Sequence, residues 1–154
     1  MKICTTLTLF LFSVVFFACT KAKQPAPKGQ GYNGPLLGKW YWVNLYGDIY
    51  LNNTLQASGN FLHEGMPVRD RFEFRSDGTM LLRDNTSNDP DSIYTFSYNG
   101  ASQQIIVNRG NGQLHPYTID TLTATKLVLT SQDHYTQNNG DERIITHYSC
   151  IKGQ

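Results

Sequence analysis

Charge, cysteine and helical periodicity are all scarce in this chain. Only 16% of its 154 residues are charged, and the formal net charge is +1. A nucleic-acid binder shows a basic stripe or patch, so no nucleic-acid partner is expected. The three cysteines are Cys4, Cys19 and Cys150. The first two lie at the N-terminus, so the body of the chain has one thiol and no internal disulfide. Its periodicity is two rather than 3.6 nearly everywhere, and no convincing helix is predicted there. No Gly-x-Ser-x-Gly elbow and no phosphate-binding glycine loop appear, so neither a reaction nor a cofactor is expected.

Metal ligands are equally thin. His63, His115, His134 and His147 are scattered, and only His63-Glu64 and Asp133-His134 set a histidine beside an acid. No pair has zinc-site spacing. Asp84, Asp89 and Asp91 share a loop, but their spacing fits no EF-hand, and a solvated loop is the expectation. No metal site is assigned.

What is present begins at the N-terminus. Lys2 precedes about fifteen mostly apolar residues, Ile3 to Phe17, and Ala18 and Cys19 follow. A charged start, an apolar centre and a small residue at the cut make a secretory signal over residues 1–18. The run is short for a membrane span, which needs about 20 apolar residues. Phe16-Phe17-Ala18-Cys19 resembles the lipobox of bacterial lipoprotein signals, with Phe16 where Leu is usual. The resemblance implies acylation of Cys19 after cleavage, and two or more acyl chains anchor a protein stably.

Residues 19–34 are rich in Lys, Pro, Gly and Gln and read as a disordered tether spanning about 20 Å. The tether carries Lys21, Lys23 and Lys28 and no acid; downstream of Pro35, nine Lys and Arg face all twelve Asp and Glu. A basic tether beside anionic headgroups gains about 1 kcal/mol per lysine at most, and a plain solubilising spacer explains it equally well.

Residues 35–154 suit one domain with one core. Alternation marks strands at Lys39–Leu45, Ile49–Leu55, Val68–Arg75, Thr79–Arg83, Ser92–Tyr98, Gln103–Asn108, Gln113–Thr121, Lys126–Gln132 and Arg143–Ile151. Ser76-Asp77-Gly78 and Asn99-Gly100 read as hairpin turns. Gln56 to Pro67 reads as irregular. Eight or nine short strands at this spacing predict an all-β antiparallel meander, closed as a barrel or packed as a sandwich. Cys150 sits in an alternating stretch and is predicted to be a buried core thiol.

Leu36-Leu37-Gly38-Lys39-Trp40, then Phe72 to Thr79, then Tyr117 to Leu122 running into Lys126-Leu127-Val128-Leu129 resemble the lipocalin-like domain of small bacterial lipoproteins, common in the Bacteroidota. The resemblance covers roughly Leu36 to Cys150. It implies a closed or half-open β-barrel with Trp40 plugging one end, and no established reaction. The chain departs from true lipocalins in lacking a Thr-Asp-Tyr motif and in ending soon after the last strand, with no room for a C-terminal helix.

Trp40, Trp42, Phe72 and Phe74 are predicted to share the inward face. They form either a packed core or the wall of a pocket for a small apolar or glycan ligand. Outward Tyr41, Tyr94 and Tyr98 would favour a protein-binding face instead. The first expectation is a non-catalytic binding module on a lipid anchor. The second is a structural or protein-interaction lipoprotein, an accessory subunit or inhibitor, with a filled barrel. Thr20 follows Cys19 without acid, so the resemblance implies the outer membrane, facing the periplasm. Asp91-Ser92-Ile93 and Asp120-Thr121-Leu122 resemble the O-glycosylation sequon of Bacteroidota envelope proteins.

Overall fold

A computed structural model describes residues 29–61, 71–83, 91–110, 112–137 and 140–153. Signal, lipidation and most of the tether, with Cys19, lie outside these residues, as do His63, Asp84 and Asp89. The described part is all-β. Its nine strands are β1 (Gly38–Leu51), β2 (Thr54–Asn60), β3 (Arg71–Phe74), β4 (Thr79–Arg83), β5 (Ser92–Asn99), β6 (Gln104–Asn108), β7 (Leu114–Leu122), β8 (Lys126–Gln137) and β9 (Gly140–Lys152). The hydrogen-bonded order is β2-β1-β3-β4-β5-β6-β7-β8-β9, and β1 also pairs with β9. Eight strands therefore close a ring, and β2 stands outside it. Closure removes the two unpaired edges that an open sheet would expose.

β1 does two jobs along its 14 residues, roughly 45 Å of strand. Gly38 to Tyr41 pair with β3, and Tyr46 to Leu51 pair with β2. Its other edge stays on β9 throughout, from Trp40↔Lys152 to Leu51↔Glu142. The upper halves of β1 and β9, with β2 and the end of β8, thus form a four-stranded flap beyond the barrel rim. The irregular stretch predicted from Gln56 is corrected here, because Thr54 to Asn60 form a strand. Every residue of β2 but Gly59 is exposed, so neither face carries the apolar alternation that marks a half-buried strand. The turn before it is Asn52-Asn53, both at positive φ (49° and 64°), the left-handed pair a two-residue hairpin needs.

A bulge between Trp42 and Asn44 resets the alternation of β1. Simple period-two counting places Asn44 inside. The extra residue, Val43, turns Asn44 outward and brings Leu45 in against the core. A second irregularity, at Asp120, does the same for Leu122.

The predicted turn at Ser76-Asp77-Gly78 is present. Asp77 Oδ1 accepts from Thr79 N at 2.9 Å and from Thr79 Oγ1 at 2.6 Å, and these bonds hold the Asp77 carboxyl below its ordinary pKa. Cys150 is fully buried as predicted, and burial pushes its thiol up to about 12.

Candidate functional site

Three layers of side chains fill the barrel from one end to the other. At the end where the chain enters, Leu36 and Trp40 are completely buried, and Trp40 Nε1 donates to the Leu36 carbonyl at 2.7 Å. Tyr32 stands edge-on to Phe96 and Tyr98 at 5.2 and 6.0 Å. Lys152 Nζ lies 5.0 Å from the Trp40 ring centre. Trp40 with Leu36 and Tyr32 forms a floor.

Above the floor the rings meet across the interior. Phe72 lies 5.1 Å from Trp42, 5.2 Å from Tyr148 and 5.8 Å from Tyr117, centre to centre. β3 and β7, which carry Phe72 and Tyr117, are on opposite sides of the eight-strand ring. A ring contact across that diameter leaves no deep calyx at this level. Trp42, Phe72 and Phe74 are 5%, 0% and 2% exposed, and Phe74 packs on Phe96 at 5.1 Å. The four aromatics of the predicted inward face therefore do point inward, where they join one buried cluster with Phe96, Tyr117 and Tyr148.

The third layer, at the mouth, is polar. β7 brings in His115 and Tyr117, β8 brings in Ser131 and Asp133, and the Tyr117↔Ser131 register sets the two pairs side by side. His115 Nδ1 lies 3.2 Å from Asp133 Oδ1. Exposed Arg109, just past β6, donates from a guanidinium nitrogen to the Tyr117 hydroxyl at 3.4 Å. Burial, and then the Arg109 charge, hold the His115 pKa below its ordinary 6.5 against the opposing pull of Asp133. The ring is therefore neutral at neutral pH. Nδ1 faces the Asp133 carboxylate, and Nε2 is buried without a hydrogen-bond partner. Burial raises the Tyr117 phenol, and burial with Tyr117 nearby raises that of Tyr148.

Buried polar atoms are normally paired. Here Trp42 Nε1, His115 Nε2 and Ser131 Oγ are buried with no hydrogen-bond partner. Ser131 lies close enough to the Tyr148 hydroxyl to ease its pKa, yet makes no well-formed hydrogen bond to it. Trp42 and His115 are joined through two intervening rings: Trp42 to Tyr148 at 5.1 Å, Tyr148 to Tyr117 at 5.9 Å, Tyr117 to His115 at 4.7 Å.

The sequence does not single out His115 or Asp133 as partners, because they lie on different strands. The usable signal is the shared parity of His115, Tyr117 and Ile119 facing Ser131 and Asp133. His134 points the other way, toward Gln132, and His147 Nδ1 contacts Thr130 Oγ1 at 2.8 Å on the outer face. Among the described residues no three His, Cys, Asp or Glu side chains gather as metal ligands. Asp91 is held by Arg83 through two hydrogen bonds. The tyrosine expectation needs correction: Tyr94 and Tyr98 share the parity of buried Phe96 and pack inward on the core. Tyr41 is half-buried on the outer face. Ser92 and Thr121 lie in strands and are half-buried.

A family model described as a lipocalin-like domain matches residues 36–129. No curated protein and no solved structure matches the chain.

Proposed function

The chain belongs to the lipocalin-like domain family, and from that premise we propose a lipid-anchored envelope protein that binds a small apolar or glycan ligand at its barrel mouth and catalyses nothing. The carrying observation is the pair of unpartnered buried polar atoms at the mouth, His115 Nε2 and Ser131 Oγ, beside the Tyr117 and Tyr148 rings. Binding sites are largely apolar with a few convergent polar groups, and leaving such groups unpaired costs about 1–3 kcal/mol each. A bound molecule at the mouth would recover that cost. The anchor is Cys19, held in the outer membrane and facing the periplasm, and membrane lipid is the one standing partner.

The ring contacts between Phe72 and Tyr117 favour a second reading, in which the filled barrel serves an envelope protein as an accessory subunit or inhibitor. Native mass spectrometry on protein released from its own envelope separates the two. A co-purifying small molecule lost on His115→Phe supports ligand carriage. An empty protein that instead retains a protein partner through detergent extraction supports the second reading.

A further inference from the structure

Resting on the lipid-anchor reading above, we infer that the closed end of the barrel is itself a membrane contact, which seats on anionic phospholipid headgroups through its lysines. The described residues contain three lysines, Lys39, Lys126 and Lys152, and all three lie at that end. They stand near the starts of β1 and β8 and at the end of β9. Register ties them together, with Lys152 opposite Trp40 and Lys126 opposite Ile151. The described chain begins at Gly29, against the Gly78 backbone at the same end, and Lys21, Lys23 and Lys28 precede that contact in sequence.

These cations are not consumed within the fold. Among the described residues none of the three forms an ion pair, whereas Arg71 and Arg75 are held by Glu73 and Arg83 by Asp91. Lys152 instead lies over the Trp40 ring beneath the floor, 5.0 Å from its centre. The acids that come nearest already accept hydrogen bonds of their own: Glu73 from Arg75, Asp77 from Thr79 and Asp120 from Thr130. The lysines are therefore left to a partner outside the chain, and that partner must be anionic.

The surface beside the lysines suits a headgroup layer better than a folded acidic protein. Ile151 is 50% exposed and stands on the outer face in one row between Tyr41 and Lys126. An exposed aliphatic side chain and a tyrosine next to a lysine make interfacial chemistry: the apolar groups enter the headgroup region while the ammonium meets phosphate. The flap end carries Asp48, Asp141 and Glu142, which an anionic surface repels. The barrel thus stands on its closed end with the mouth turned away. Each lysine adds about fivefold at most, enough to orient a tethered domain and too little to hold a free one in the envelope.

The test uses the mature chain carrying Cys19→Ser, so that any membrane contact is made without acyl chains. The probes are vesicles of phosphatidylcholine alone and with about 30% phosphatidylglycerol. Cosedimentation at low salt is expected with the anionic vesicles only, and is expected to vanish at high salt. Lys39→Gln combined with Lys126→Gln, both at exposed positions, is expected to weaken that binding about tenfold. A polarity-sensitive label on Thr125→Cys, in the β7–β8 turn, is expected to shift to the blue on anionic vesicles, and one on Thr136→Cys, at the far end of β8, is not. Buried Cys150 stays unlabelled. Equal binding to both vesicles, binding to neither, or equal shifts at the two labels overturns the docking. So does binding that survives the double variant and falls only when Lys21, Lys23 and Lys28 are replaced by Gln. None of these results touches acylation of Cys19, which the mobility shift under globomycin judges separately.

Discussion

At the scale of single residues, His115 and Cys150 show how burial sets chemistry. Burial lowers the His115 pKa below 6.5 in the native state. Between the two values the unfolded chain holds a proton that the native chain lacks. Stability is therefore full above about 6.5, falls as pH drops below it, and levels off once the native ring protonates. Thermal unfolding followed from neutral to mildly acid pH is expected to show a larger fall in Tm for the wild type than for His115→Gln, which cannot titrate. Equal slopes would mean that His115 is not the group responsible. Cys150, fully buried with its thiol raised to about 12, should resist a thiol reagent in the native protein, because the thiolate is the reacting form. It should react promptly in denaturant. Rapid native labelling of Cys150 would show that the β8–β9 wall opens. The sequence suffices to place Cys150 in the core, because a thiol among alternating apolar residues has one reasonable position. It does not suffice for His115, whose pKa is lowered by burial in the closed barrel and by Arg109 from beyond β6, against Asp133 on the next strand.

Turns carry the sharper expectations at the scale of elements. Gly78 has φ +75°, and an added Cβ would sit 1.9 Å from the Gln30 carbonyl oxygen. The Gln30 side of that contact is backbone, which cannot swing aside. Gly78→Ala is expected to lower stability by about 1–3 kcal/mol, combining left-handed strain with the clash, as read from the urea midpoint. The Asn52-Asn53 turn invites the opposite change. Asn53→Gly keeps the left-handed conformation at lower steric cost and is expected to leave stability unchanged or raise it by a few tenths of a kcal/mol. A marked loss there would mean that the flap turn is not left-handed. Most strands are visible in the sequence because one of their faces is buried. Phe72 and Phe74, or Ile105 and Val107, announce themselves by parity. β2 does not, since its pairing rests on backbone hydrogen bonds to β1 that no side-chain pattern reports. The bulges at Val43 and Asp120 are hidden for the same reason, and each reverses the facing of the residues beyond it.

For the whole molecule, the arrangement of the two ends matters most. The chain enters beside the β3–β4 turn, where Tyr32 N donates to the Ser76 carbonyl at 2.8 Å, and Leu36 closes the floor. His115, Asp133 and the flap lie at the opposite end. On the proposed reading, an anchor at Cys19 would sit on the side of the closed end, and the mouth would take its ligand from the side away from it. Cys19→Ser is expected to release the protein from the envelope fraction, with a mobility shift on globomycin treatment of the wild type; retention of the variant would defeat the anchor. Phe72→Ala, removing the ring that spans the interior, is expected to cost about 3–5 kcal/mol, measured by chemical denaturation. Composition and period-two patterning by themselves determined an all-β domain, its hairpin turns and an inward aromatic face, because alternation and turn chemistry are local properties. Only the tertiary structure decided how far the interior is filled, which strands pair, and which polar atoms remain without partners at the mouth. Those depend on side chains from β1, β3, β7, β8 and β9 meeting across a closed ring, and contact between strands distant in sequence leaves no periodic trace in any one of them.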